Sequence, residues 1–501
     1  MTKNYIVSID VGTTGTRCII FNENAKIVSK SYKKNKLIYP HPGWVEQDPF
    51  EIIENVNYVV KEAIKIAKAE MGDIISIGVT NQRESIVSWN KITGMPYYNI
   101  ISWQDTRTNN ICSNLIENDY EKLIKGKSGL SINTYFSAPK IEWLNENIEK
   151  FRTGIEKSEA YVGTIDSWVV WNLTGKIFAT DYTNASRTML MNLKKLNWDA
   201  DLLDIFKIPE NILPEIFPSS NRGYFGFTKK DGPFKENIPI SGIIGDQQAS
   251  LLGQACYEEG MVKNTYGTGS FILMNTGKEI KYSKHGLITT LAFGDGKNVS
   301  YALEGSIAYT GFVIEWLKDN LGLLDKVEES ERLSSLAGSS DGVYFVPSFS
   351  GLYAPYWDME ARGLIIGLTS FTKKEHIIHA ALESIGYQTR DVLDAMQKDI
   401  GKTITELRVD GGASENNYLL QLQSDILGID VIRSGIFETT ALGAAFSAGI
   451  AIDYFKKDLW NYYSIDEIFR PKISKQEREK AYSFWKKAVN RSKKWLKTVT
   501  P

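Results

Sequence analysis

"YIVSIDVGTTGTRCIIF", Tyr5 to Phe21, alternates apolar and polar residues, breaks at Gly12-Thr13-Thr14-Gly15, and resumes as an apolar run. Period-two alternation on both sides of a glycine-bearing break predicts a β-hairpin. Its turn is built of glycines and hydroxyl residues. Glycine lets the backbone approach an anion closely, and threonine adds donors. The plan returns in "VKNTYGTGSFILM", Val262 to Met274, as an extended run, Gly267-Thr268-Gly269-Ser270 and an apolar run. Either hairpin alone reads as an ordinary tight turn. One in each half of the chain implies a duplication with a phosphate-type turn per copy.

A third element has the same character. "LRVDGGASENNYLLQLQSDIL", Leu407 to Leu427, reads as a strand, Asp410-Gly411-Gly412, and a helix whose first turn carries Ser414, Glu415 and Asn416. Glycines opening a helix make a phosphate or ribose site, because the helix N-terminus presents unpaired N–H groups and positive potential. The commoner nucleotide templates are missing: there is no Gly-x4-Gly-Lys-Ser/Thr, no G-x-G-x-x-G opening a helix after a strand, and no H-R-D. Three such elements outside those templates point to a nucleotide held between two similar domains that close over it.

The length of 501 residues fits two large domains. With 58 basic against 60 acidic residues, the net charge of −2 gives no field favouring nucleic acid or anionic lipid. The three cysteines, Cys18, Cys112 and Cys256, form no C-x-x-C and read as core residues of a reducing compartment. Four histidines leave little material for histidine-based hydrolysis, and His376 and His379 lack the glutamate of an H-E-x-x-H zinc site. No run approaches the ~18 apolar residues of a membrane span, so a soluble, cytoplasmic protein is expected.

Two polar stretches carry the remaining chemistry. "IGVTNQRESIVSW", Ile77 to Trp89, interrupts two strand segments with Thr80 to Glu84. Neighbours in a strand face opposite ways, so Arg83 and Glu84 address one ligand only if the chain kinks between them; otherwise they form a surface ion pair. Trp103 and Tyr135 follow in charged surroundings. An arginine, a glutamate and two aromatic rings suit a small polyhydroxylated substrate. Asp166 and Asp181 read as loop and packing residues. In "GIIGDQQASLLGQ", Gly242 to Gln254, Asp246 sits at a strand-to-helix corner, with helical spacing continuing toward Gly260. It is either a helix cap or a base or metal ligand at the carboxyl end of a strand, although Ala249 denies it a reciprocal capping box.

The assembled motifs resemble the FGGY family of sugar and polyol kinases. The resemblance runs over nearly the whole chain, through IDVGTTGTR, GWVEQDP, GVTNQRE, SWQDTRT, YFSAPKIEWL, SGIIGDQQASLLGQ, NTYGTGSFILMNTG, YALEGSIAYTG, PSFSGLYAPYWD, ARGLIIGLT and VDGGASENN. Asn81-Gln82-Arg83-Glu84 is similar to the branch that acts on glycerol. The resemblance implies two RNase-H-like (actin-like) α/β domains with a nucleotide cleft, over residues 1–252 and 253–501, the second ending in a helical cap. It implies ATP-dependent phosphorylation of glycerol to sn-glycerol 3-phosphate, in glycerol catabolism, with Mg²⁺ and with Asp246 as general base. Arg83, Glu84, Tyr135, Asp246 and Gln247 would hold the hydroxyls, with Trp103 and Phe271 on the carbon side. Thr13, Thr14, Gly15, Arg17, Gly267 and Thr268 would meet the phosphates, and Gly311, Glu315, Gly412 and Asn416 the rest of the nucleotide. Asp10 and Asp246 would organise the metal.

Two departures from the family pattern stand out: Gly15 replaces a serine, and Glu315 stands where glutamine is common. The stretch before the central strand, "FTKKDGPFKENIPISG", lacks the glycine-rich loop with which some members bind fructose 1,6-bisphosphate, so insensitivity to that sugar phosphate is expected. A homodimer or homotetramer is expected by the same resemblance, with no nucleic-acid partner and no membrane insertion. The alternatives are a kinase of another polyol or ketose, and a non-catalytic actin-like ATPase or sugar sensor. The C-terminal "ISKQEREKAYSFWKKAVNRSKKWLK" reads as an amphipathic helix with Ala481, Phe484, Trp485 and Val489 inward.

Overall fold

In the computed structural model, which describes residues 4–222, 225–456 and 458–496, both expected hairpins form. Strands β1 (Tyr5–Val11), β2 (Gly15–Phe21), β3 (Ile27–Lys34), β4 (Ile74–Asn81) and β5 (Ile240–Gly245) make a sheet in the order β5-β4-β1-β2-β3. The first three run antiparallel to one another, while β4 and β5 join parallel to β1. A second sheet contains β6 (Val262–Tyr266), β7 (Ser270–Gly277), β8 (Ile288–Gly294), β9 (Val299–Ile307), β10 (Glu406–Gly411), β11 (Asp430–Ser434) and β12 (Ile465–Phe469), in the order β8-β9-β7-β6-β10-β11-β12. Without its edge strands β8 and β12, this sheet repeats the first. A hairpin, β6-β7, has an antiparallel neighbour on one side and two parallel strands on the other. This is the duplication expected from the paired glycine turns, in the actin-like form that the family resemblance implies.

Helix α1 (Pro49–Ala67) starts where Asp48 accepts from Phe50 N with proline in the first turn, and lays Ile52, Val56, Val59, Val60, Ala63 and Ile64 on the first sheet. A small sheet of Glu46–Gln47, Ile86–Asn90, Ile100–Ile101 and Ala160–Thr164 carries the loops between β4 and β5. Asp166 and Asp181 lie behind it in structural roles. Asp166 accepts from Thr180 Oγ1 at 2.7 Å, and Asp181 caps Tyr182–Ala185.

The two halves meet through helix α2 (Asp246–Gly253) and a second helix, Thr439–Ala451, labelled α3. The latter reads TTALGAAFSAGIA, buried on nearly every side, and covers β1, β4 and β5 of the first sheet as well as α2. Small residues allow this. A Cβ on Gly443 would lie 1.8 Å from Ala249 O, and one on Gly253 2.0 Å from Thr439 O, so the helices touch backbone to backbone. Helix α2 ends at Gly253, short of the expected Gly260, because the chain turns away through Ala255 at φ +54°, a conformation that cannot continue a right-handed helix.

The C-terminal helix α4 (Lys475–Ser492) has the expected amphipathic pattern with one correction. Phe484 is exposed, and Tyr482 lies inward with Trp485, Ala488 and Val489. Tyr482 and Trp485 both donate to the buried Asp391, which selects that face over one centred on Phe484.

Candidate active site

Open α/β sheets bind ligands beyond the carboxyl ends of their strands, and the expected residues gather there. Asp10 is the penultimate residue of β1 and the Gly12–Gly15 turn follows that strand, Arg83 and Glu84 follow β4, and Asp246 follows β5 directly as the first residue of α2. In the second sheet, Gly267–Gly269 follow β6, and Gly412 follows β10. Asp246 is no conventional cap. Its Oδ1 accepts from the N–H of the next residue, Gln247, at 2.7 Å, and pairs with Arg83 Nε at 3.1 Å.

The kink required between Arg83 and Glu84 is present. Ser85 N donates to Arg83 O at 2.6 Å across Glu84, which takes φ +61°, a conformation costly for a side-chain-bearing residue. Gly245 completes the arrangement, since a Cβ there would meet Arg83 Cδ at 2.8 Å. Arg83 donates from Nη1 to Glu304 at 2.6 Å and to Gln248 at 3.2 Å, and from Nη2 to Glu304 at 3.1 Å. Arg187 donates from Nε to Glu84 at 2.6 Å and from Nη2 to Glu304 at 3.0 Å. All four side chains are no more than 2% exposed. Burial alone would raise Glu304, but Arg187 and Arg83 outweigh it and hold the carboxyl at about 2. Burial raises Glu84 and Asp246 against the pull of the neighbouring cations.

Trp103, Tyr135 and Phe271 form a half-buried aromatic wall, edge to face at 5.4 Å and 6.1 Å, and Trp103 Nε1 donates to Thr13 Oγ1 at 2.9 Å. That bond ties the wall to the first phosphate-type turn. In this turn every carbonyl is drawn back into the protein: Gly12 O by Asn35 Nδ2, Thr13 O by Gln47 Nε2, and Thr14 O by Asn35 N. The second turn repeats the device, with Gly267 O bonded by Gly311 N and Thr268 O by Thr310 N and Phe312 N. Among the described residues, the amides of Thr13, Thr14, Thr268 and Gly269 donate to no protein acceptor. Satisfied carbonyls and spare amides are the requirements of an anion site.

Gly15 lies against Tyr32. A Cβ there would lie 2.1 Å from the ring of that half-exposed side chain, so a serine would require the ring to move aside. Arg17 pairs with Asp10 at 3.3 Å and approaches Glu438 at 3.8 Å, so it already spans both halves. Burial lifts Asp10 to about 6 against Arg17, with Asp246 adding to the rise.

At the end of β10, Gly411 is at φ +87°, and a Cβ would meet Tyr266 O at 2.1 Å, whereas Gly412 borders open space. The helix expected directly after these glycines is preceded by a 3₁₀ turn, Gly412–Glu415; Asn416 is the N-cap of the following helix and accepts from Leu419 N at 2.8 Å. Glu315 is exposed on helix Gly311–Asp319.

Three residues escaped the sequence reading. Arg187, Glu304 and Lys263 are fully buried charges. Their only signal was a charge inside an apolar run, as in "YALEGSI" and "VKNTY". Among the described residues no three His, Cys, Asp or Glu side chains converge as a metal site.

A duplicated actin-like fold with a turn of spare amides on each half, and a polar cluster and an aromatic wall beside one of them, has the parts a two-domain kinase needs. Models of the FGGY family of carbohydrate kinases match residues 5–253 (N-terminal domain) and 262–452 (C-terminal domain), and the chain belongs to that family. It is 51% identical over 496 residues to glycerol kinase 2 of Thermotoga maritima, covering 98% of this chain and 99% of that one. Identity to glycerol kinase of Caldanaerobacter subterraneus is 50% at the same coverage. The crystal structure of Plasmodium falciparum glycerol kinase with ADP superposes with a TM-score of 0.92 at 39% identity, covering 98% of each chain.

Proposed function

We propose that the protein transfers the γ-phosphoryl group of ATP to glycerol, giving sn-glycerol 3-phosphate and ADP by direct in-line displacement. The observation that carries this reading is the juxtaposition of Asp246, Arg83 and Glu84 with a phosphate-type turn that Trp103 links to the pocket wall. Glycerol offers three hydroxyls for Arg83, Glu84, Tyr135 and Gln247, and carbon faces for Trp103 and Phe271. Asp246, one-quarter exposed where its neighbours are sealed, accepts the proton of the attacking hydroxyl. The spare amides of both turns, with the side chains of Thr13, Thr14, Arg17 and Thr268, neutralise the phosphates. Gly311, Glu315, Gly412 and Asn416 border the remainder of the nucleotide.

Asp10 and Asp246 would hold Mg²⁺. Burial lifts Asp10 and the Asp246 carboxylate adds to the rise, a repulsion that a divalent cation would offset. When bound, the ion neutralises charge on the transferring phosphoryl oxygens. The division between domains is placed at residues 252–253, and the protein is read as a cytoplasmic homo-oligomer. No helix among the described residues is long and apolar enough to cross a membrane.

An ADP-release assay across glycerol, erythritol and pentuloses tests the substrate. Fastest turnover on any of the others would overturn the reading. Asp246→Asn should lower kcat by about 10²–10⁴-fold while ATP affinity is retained, and near-normal turnover would remove Asp246 as base.

A further inference from the structure

Lys263 takes no part in the chemistry outlined above, yet it is a fully buried lysine on β6, facing the first turn of α2. Its Nζ donates to Gln247 Oε1 at 2.6 Å and to Thr265 Oγ1 at 2.8 Å. An ammonium group is a donor only. The oxygen end of the Gln247 amide is therefore the end turned toward Lys263, and the NH₂ end faces the other way. Gln247 directly follows Asp246, and its backbone N–H donates to Asp246 Oδ1 at 2.7 Å.

We propose that Lys263 is a positioning residue that sets which end of the Gln247 amide is presented to Asp246 and to the substrate hydroxyls. An amide in a pocket has two nearly isosteric orientations, and only one can donate to a carboxylate or to a hydroxyl oxygen. The other orientation would set the amide NH₂ against the Lys263 ammonium, donor facing donor. Lys263 and Gln247 stand on opposite sides of the 252–253 division, so the second half of the chain orients a group on the first. Thr265, held in turn by Ser250 at 2.9 Å, keeps Nζ in line. The cost of burying the cation is visible in Lys263 itself, which burial lowers to about 8 against the pull of Asp410 and Asp246. The inference rests on the glycerol-site reading of Gln247.

The test is a double-mutant cycle on the full chain with Lys263→Met, Gln247→Leu and the pair. A hydrogen bond to a charged group is worth enough to expect each single variant to lose about 10- to 100-fold in kcat/KM for glycerol, with the KM for ATP within about twofold. If Lys263 acts through Gln247, the double variant is no worse than the poorer single one. Multiplying losses, or equal losses for both substrates, would overturn the proposal and leave Lys263 a packing residue. Thr265→Val provides a second arm that keeps the lysine and its volume. It should raise the KM for glycerol about two- to fivefold, and an unchanged KM counts against the proposal even if Lys263→Met does not fold. Wild-type turnover separates the two failures: an enzyme inactive on glycerol refutes the substrate reading, and an active one with an additive cycle refutes only this inference.

Discussion

Glu304→Gln removes a charge while keeping the shape of the side chain, and its consequences can be worked out in advance. The carboxylate accepts three guanidinium donors, two from Arg83 and one from Arg187, with no access to water. Its carboxyl is held at about 2, below the ordinary 4.5. A group depressed in the folded state stabilises the fold at pH above its unfolded value, and that contribution is lost as pH falls through the folded value. At about 1.4 kcal/mol per tenfold change in proton affinity, the contribution at pH 7 is about 3 kcal/mol. The cost of stripping one partner from a buried ion pair is of the same order, ~3–5 kcal/mol. Urea unfolding should show that gap at pH 7, about three-quarters of it at pH 4 and less than half near pH 3. Arg83, released from its fixed pose, should raise the KM for glycerol by about tenfold or more while the KM for ATP stays within about twofold. Equal unfolding midpoints at pH 7 together with an unchanged KM for glycerol would refute the view that Glu304 anchors the pocket.

Three further outcomes are expected. Trp103→Phe keeps the wall but loses the bond to Thr13, so the KM for ATP should rise about 2- to 10-fold; steady-state kinetics showing no change would sever the wall from the turn. Asp166, raised by burial from 3.8 to about 7, binds its proton more tightly in the folded state, so its contribution is present below about pH 4 and lost as pH rises through 7. Relative to wild type, Asp166→Asn should therefore gain on the order of 2 kcal/mol between pH 5 and pH 8 in urea titrations, and a constant difference would exclude this titration. Gly443→Ala drives a Cβ into the carbonyl of Ala249 and should destabilise by about 1–3 kcal/mol, whereas Gly126→Ala, on an exposed helix position with nothing nearby, should stabilise by about 0.5–1 kcal/mol. Matching signs for the two would contradict the backbone-contact account.

The parts of the molecule legible in the sequence are those whose determinants are local. Both hairpins, the corner at Asp246 and the kink at Arg83-Glu84 are each set by a few adjacent residues, through glycine, alternation or an impossible strand geometry. What escaped depends on partners far along the chain. Glu304 matters because Arg83 and Arg187 converge on it from the other half. The need for glycine at position 253 depends on a carbonyl of Thr439, and the inward turn of Tyr482 rather than Phe484 depends on Asp391. The ring that Gly15 lies against, Tyr32, is likewise a partner one strand away.

The reach of helix Thr439–Ala451 across to the first sheet also bears on how the chain is made. Ile6, Ile19, Phe21 and Ile244 are covered by Ala441, Leu442, Ala444, Ala445, Phe446 and Ala448, which lie far downstream. At ~5–20 residues per second, ribosomal synthesis takes roughly 10–40 s to pass from the end of β5 to the end of that helix. For that interval the nascent first half holds an apolar sheet face with no cover, and a half-length product would hold it permanently.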